Sequence, residues 1–171
     1  MLRLKYAFIL MFFVYCIGLL AGYLVFQYID FQMPPGVVSS FGFVDFLTDK
    51  QRLLLNIIVH NLVVSLKIVL LGCFSLGILG GCILFYNGVV HGFCFSVALQ
   101  SLGLVGFVFH LLPHSLELMG LVMSAHLGML LSYKILLGKS SITFSCILKY
   151  GIVILIVLFV SSIWEVYVSI H

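Results

Sequence analysis

The sequence predicts an all-α protein, a polytopic transmembrane helix bundle of about five spans, with an interfacial amphipathic helix between spans one and two. Composition is the first reason: of 171 residues, 64% are hydrophobic and 8% are charged, and the mean hydropathy is +1.33. Water-soluble domains carry about one quarter charged residues, because polar side chains must cover their surface. The predicted solvent is therefore lipid, and residues 1–171 are predicted to form a single membrane domain.

Five apolar windows supply the second reason, since a bilayer core about 30 Å thick needs about 20 apolar residues per helix. The predicted spans are about 7–29, 62–85, 88–111, 113–137 and 144–168. The first is long enough to be a span rather than a secretory signal. The apolar stretch from 62 to 112 is too long for one span, and Asn87-Gly88 is its strongest turn signal. Pro113 is predicted to begin helix four, because proline is tolerated at a first helical position.

Basic residues predict the orientation, since they favour the cytoplasmic side of a membrane. With the amino terminus inside and five spans, most of them fall on that side, and only Lys50 and Arg52 fall outside. The expected location is the cytoplasmic (inner) membrane of a prokaryote, with the carboxyl terminus outside. The net charge of +3 is too scattered for a nucleic-acid surface.

The outer connection, residues 30–60, changes character along its length. Pro34-Pro35-Gly36 predicts irregular backbone, whereas polar residues from Thr48 onward recur at helical spacing. If that helix continues, Lys67 extends its polar face, because the polar positions share a sector of about 80°. One interpretation is an interfacial helix with snorkelling side chains. The other is an outer docking face made of Asp49, Arg52, Asn56 and His60.

Ionisable residues inside apolar segments need partners, because each costs about 2.5–3.5 kcal/mol at mid-bilayer. His114 and Glu117 are three residues apart and share one helix face. They are predicted either to pair or, for Glu117 alone, to balance a helix dipole. Asn61 and Asn87 are expected to satisfy backbone groups or to hydrogen-bond between helices. The other ionisable residues inside apolar segments are Lys67, His91, His126 and Glu165.

Small residues four apart predict close helix contacts. The pairs are Gly77 with Gly81, Gly88 with Gly92, and Ser124 with Gly128. A zinc site from His110, His114 and Glu117 has suitable ligand types, but there is no HExxH pattern and no nucleophile beside a base. The sequence therefore predicts no catalytic residue, no metal and no cofactor.

One combination of residues resembles a known family. His60-Asn61 precedes a glycine-rich helix, Asn87-Gly88 is followed by Gly92, and the stretch from Pro113 through His114 to Glu117 and Leu118 comes after it. Over residues 56–131 this arrangement resembles the stage II sporulation protein M family. The resemblance implies a multi-spanning membrane protein with no enzymatic activity, which in spore formers anchors peptidoglycan-degrading proteins.

Two hypotheses of function follow. The first is a non-catalytic scaffold or assembly partner that positions other membrane or cell-envelope proteins, among them peptidoglycan-remodelling enzymes. The alternative is a permease-like subunit associated with an ABC-type exporter, with a polar path lined by His114, Glu117 and Lys67. In both, the bilayer is the first partner, homo-oligomers are allowed, and nucleic acid is not expected.

Overall fold

The structure is a computed structural model, and it describes residues 2–29, 48–136, 138 and 143–168. Four helical elements follow in chain order: α1 (Leu2–Ile29), α2 (Thr48–Phe74), α3 (Ile78–Ile135) and α4 (Phe144–Val168). Most of the outer connection, residues 30–47 with their prolines, lies outside the described residues. The predicted polytopic helix bundle is confirmed.

Five helical segments are long and apolar enough to cross a membrane. They are Tyr6–Ile29, Lys50–Phe74, Ile78–Ser101, His114–Ile135 and Phe144–Tyr167. Because α3 contributes two of them, it is described below by its first arm, residues 78–102, and its second arm, residues 104–135. These segments make the chain a multi-pass membrane protein.

The chain reversal between spans two and three lies at Ser75, Leu76 and Gly77, and not at the predicted turn of Tyr86-Asn87-Gly88. Leu76 and Gly77 turn the backbone with φ values of 55° and 92°, and the Ser75 hydroxyl accepts a hydrogen bond from the Leu79 amide at 2.8 Å. The predicted bounds 62–85 and 88–111 therefore lie about 10–12 residues too late in the chain, and Asn87-Gly88 lies inside a helix.

The cause of this displacement is the polar beginning of α2. Polar residues before position 62 predict that span two starts there, but α2 is one continuous helix from Thr48 to Phe74. The predicted amphipathic segment is thus the first half of span two. A span that starts earlier also ends earlier, which moves the turn from position 87 to position 76.

A single residue separates the arms of α3. Gly103 has φ 68° and ψ −179°, which is outside the helical region. Residues 104–112 are already helical, so Pro113 lies within the second arm and does not begin it, contrary to the prediction. A chain of 58 residues in one straight helix would be about 87 Å long. The break at Gly103 is what lets the second arm re-enter the bundle.

The second arm of α3 is the centre of the bundle. Over half of its span is buried (56%), against 22–33% for the other four. Leu121, Val122 and Ala125 are fully buried and pack with Met11 of α1 and Ile68 of α2. Among the described residues, α3 contacts every other helix, while α1 contacts neither α2 nor α4.

Glycines bring the helices into backbone contact at three places, one of which is between Gly80 of α3 and Gly72 of α2. Gly18 and Gly22 of α1 lie against the backbone of α3 near Gly88 and Gly92. Gly128 lies against the backbone of α2 at Val69 and near Gly72. Two of the three predicted small-residue pairs therefore already contact other helices of the same chain.

Replacing Tyr150 with phenylalanine is expected to lower the free energy of unfolding by about 1 kcal/mol, because hydrogen bonds between membrane helices contribute about that much. The Tyr150 hydroxyl lies 3.0 Å from Nδ1 of His126, which is 9% exposed, and so joins α4 to α3. Thermal unfolding in detergent, followed by the fluorescence of the single tryptophan, Trp164, measures the change. Tyr133→Phe is the matched control because Tyr133 is exposed; equal effects of the two changes would contradict the prediction.

Candidate functional site

Five side chains from three helices form a polar cluster near the end of the bundle where α2 begins and α4 ends. We call this group the polar cluster; it consists of Tyr15 from α1, His91, His114 and Glu117 from the two arms of α3, and Glu165 from α4. The helices place these residues together although they are up to 150 positions apart in sequence. The cluster is thus a product of the tertiary fold.

Glu117 is the centre of the polar cluster. Its Oε2 lies 3.3 Å from Nδ1 of His114, one helical turn away, and its Oε1 lies 4.0 Å from Nε2 of His91 on the other arm. The hydroxyl of Tyr15 lies 2.7 Å from Nδ1 of His91. One carboxylate therefore holds both arms of α3, and the hydroxyl extends the network to α1. The predicted His114–Glu117 pair is present.

The surroundings of the cluster are apolar. Phe95 is buried and its ring lies 6.0 Å from the ring of His91 and 5.8 Å from that of His114, centre to centre. Glu117 is 9% exposed. Coulomb interactions are stronger where water is largely excluded, so the charge on each ionisable side chain of the cluster strongly affects the others.

Glu165 brings α4 to the same group. One ligand-type atom from each of His114, Glu117 and Glu165 lies within 4.8 Å of the others. Two carboxylates and two imidazoles therefore meet in a partly buried space. Such a group can hold a proton or a metal cation, since both are stabilised by carboxylate oxygen and imidazole nitrogen.

Asn61 is a predicted site residue that the fold buries. It is 3% exposed, and its Nδ2 has no hydrogen-bond partner among the described residues. One turn later, Ser65 hydrogen-bonds Ser124 at 2.7 Å. Contacts of Gly72 with Gly128 and of Cys73 with Ser132 show that α2 runs parallel to the second arm. Asn61 is therefore level with Gly120, one turn from Glu117.

The other predicted site residues are not members of the polar cluster, although His60 is close enough to Glu117 for their charges to interact. The Asn87 side chain donates to the Ile83 carbonyl of its own helix at 2.8 Å, and Gly88 packs against α1. Pro113 and Asp49 lie in helices, but their side chains are outside the described part of the structure. Arg52, Asn56, His60 and Lys67 are exposed on α2.

The stage II sporulation protein M family has a sequence model that matches residues 10–170 of this chain. The chain belongs to this family. The match covers most of the first span and all of the other four, and so extends well beyond residues 56–131. No curated protein and no solved structure matches the chain.

Three members of the polar cluster in this stage II sporulation protein M relative were not predicted as site residues. His91 and Glu165 carried a signal, because each is ionisable within an apolar segment. Tyr15 carried none, since a tyrosine in an apolar helix is ordinary. Only the contact of α1 with α3 shows that it belongs to the cluster.

Proposed function

We propose that this protein is a non-catalytic membrane scaffold that positions other membrane or cell-envelope proteins through the exposed side of α2. The single observation that carries the proposal is an exposed row of polar side chains along this span. We call this row the polar stripe of α2; it consists of Arg52, Asn56, His60 and Lys67.

The polar stripe lies away from the packed side of its helix. Asn61, Ser65 and Ile68 are buried against the rest of the bundle. At about 100° per residue, the stripe is centred about 145° from these buried positions. It extends over 16 residues, from 52 to 67, and the 15 steps between them span about 22 Å along the helix. The stripe is therefore long enough to contact a partner helix over several turns.

A polar stripe in this position favours a protein partner. Ionisable residues in membrane spans usually face a bundle interior or a polar partner, because exposure to lipid costs about 2.5–3.5 kcal/mol at the bilayer centre. Lys67 is well inside the span Lys50–Phe74 and is exposed. A partner helix that presents acidic or amide side chains would offset this cost. The stripe carries Arg52 and Lys67, so the complementary partner is acidic.

The same observation favours the scaffold over the exporter-associated transport subunit. A transport path lined by His114, Glu117 and Lys67 requires all three side chains to face the same cavity. Glu117 is buried at the centre of the polar cluster, whereas Lys67 is on the opposite side of α2 from its buried residues. Membership of the family supports partners of the peptidoglycan-remodelling class at the outer face of a prokaryotic cytoplasmic membrane.

Replacing Lys67 with methionine is expected to reduce partner recovery about three- to eighteenfold, because one polar contact between membrane helices contributes about 0.6–1.7 kcal/mol. The measurement is quantitative mass spectrometry after co-purification in mild detergent. Lys149→Met is the matched control, since Lys149 is an exposed lysine on α4. Equal recovery with both variants would contradict docking on the polar stripe.

A photo-cross-linking residue at Asn56 tests the contact directly. The expected product joins this position to a membrane helix that carries acidic or amide residues. The same residue at Leu148, which is exposed on α4, should not yield that product. Cross-links to lipid alone at Asn56 would overturn the proposal.

A further inference from the structure

His114, Glu117 and Glu165 have the spacing of metal ligands. Their ligand-type atoms all lie within 4.8 Å of one another. A tetrahedral ion with bonds of about 2.0–2.1 Å holds its ligand atoms about 3.4 Å apart. The 3.3 Å between Nδ1 of His114 and Oε2 of Glu117 equals that separation. Binding would also require the Glu165 carboxylate to move closer to the other two ligands by rotation of its side chain.

A fourth ligand comes from the first arm of α3. Nε2 of His91 lies 4.0 Å from Oε1 of Glu117, so this nitrogen faces the same group. Four donors are the usual number in a closed zinc site. The donors come from three different membrane spans, which is why no sequence motif indicates the site.

The contacts of His91 are similar to those that metal-binding histidines usually make. Such a histidine usually donates its other ring N–H to an acceptor, which fixes the orientation of the ring. Nδ1 of His91 lies 2.7 Å from the hydroxyl of Tyr15, so the tyrosine oxygen accepts when Nε2 binds an ion. The Phe95 ring packs beside both histidines and limits their rotation.

Charge gives an independent argument. Two carboxylates within the membrane are costly when both are ionised, because lipid does not solvate them. A divalent cation exactly offsets two negative charges, and neutral imidazoles add no further charge. Binding would therefore replace two like charges by a neutral centre inside the span region.

We propose that His91, His114, Glu117 and Glu165 bind one first-row divalent transition-metal ion, with Zn²⁺ as the best-matched probe. Two imidazole nitrogens and two carboxylate oxygens suit zinc and its neighbours better than calcium or magnesium, which bind oxygen. The ion joins the two arms of α3 to α4 and so clamps three spans. This inference does not depend on the scaffold proposal, since none of the four proposed ligands belongs to the polar stripe.

The test is zinc binding by the full chain, purified in detergent and freed of metal with a chelator. Titration against a competing metal indicator should show one ion per chain. Tyr15→Phe removes only a hydrogen bond that supports His91, so we expect it to weaken zinc binding about tenfold. Glu165→Gln removes a ligand and should weaken zinc binding by more than this. Cys146→Ser is the control, because this potential ligand is exposed near the opposite end of α4 from Glu165 and should leave binding unchanged.

A second measurement needs no variant and therefore remains valid if a substituted chain fails to fold. Cobalt(II) bound to the native chain should give the visible absorption of a four-coordinate nitrogen and oxygen site. Binding through any of the five cysteines would instead add strong thiolate absorption in the near ultraviolet. Thiolate absorption, absence of saturable binding, or zinc affinity unchanged by Glu165→Gln would each overturn the proposal.

Discussion

Replacing Gly92 with alanine is expected to lower the free energy of unfolding by about 1–3 kcal/mol, the cost of placing extra atoms in a packed interface. A Cβ at this position would overlap the carbonyl oxygen of Leu19, which belongs to the backbone of α1 and cannot rotate away. The two helices must therefore separate along the whole contact that Gly18, Gly22 and Gly88 form. Thermal unfolding in detergent measures the loss.

Gly81→Ala is the matched control for Gly92→Ala. Gly81 lies in the same arm of α3, but the nearest atom to an added Cβ is Sδ of Met11 at 3.9 Å, an ordinary contact. Alanine at a free helical position stabilises by about 0.5–1 kcal/mol relative to glycine. The two changes should therefore shift the unfolding temperature in opposite directions. A stabilising effect of Gly92→Ala would show that α1 does not pack against α3 in this way.

Replacing Gly103 with alanine is expected to cost about 1–3 kcal/mol for a different reason. Nothing lies within 4 Å of an added Cβ, so no clash arises. The cost comes from the backbone: φ 68° with ψ −179° is a conformation that only glycine adopts readily. Gly151→Ala is the control, since Gly151 is helical and an added Cβ would lie 4.0 Å from Leu127.

The measurement for Gly103 is again unfolding in detergent, combined with cysteine cross-linking between the arms of α3. Loss of stability with retained cross-links would mean that the arms stay together under strain. Equal stability of the Gly103→Ala variant and the native chain would contradict the helix break at this residue.

The helical class of this protein follows directly from its composition, but the position of its turns does not. Apolar length alone predicts membrane spans, and the polar residues Arg52, Asn56 and His60 argued against a span where α2 in fact begins. Asn87-Gly88 has the local chemistry of a turn. Packing decides otherwise, because Gly88 is needed where α1 touches α3.

The candidate site was predictable only where its members are close in sequence. His114 and Glu117 share a helix face at a spacing of three residues, and they pair as expected. His91, Glu165 and Tyr15 come from other helices, and no local pattern tells which helices touch. Periodicity indicates which side of a helix is polar, whereas the neighbour on that side is a property of the whole fold.

The short turn at Ser75, Leu76 and Gly77 has a consequence for how the chain is made. Two helices joined by so few residues are expected to enter the lipid together, as a paired hairpin of α2 and the first arm of α3. Insertion of the apolar first arm then offsets part of the free-energy cost of placing Arg52 and Lys67 in the membrane. Lengthening this turn would uncouple the two insertion events and leave the more polar helix to partition alone.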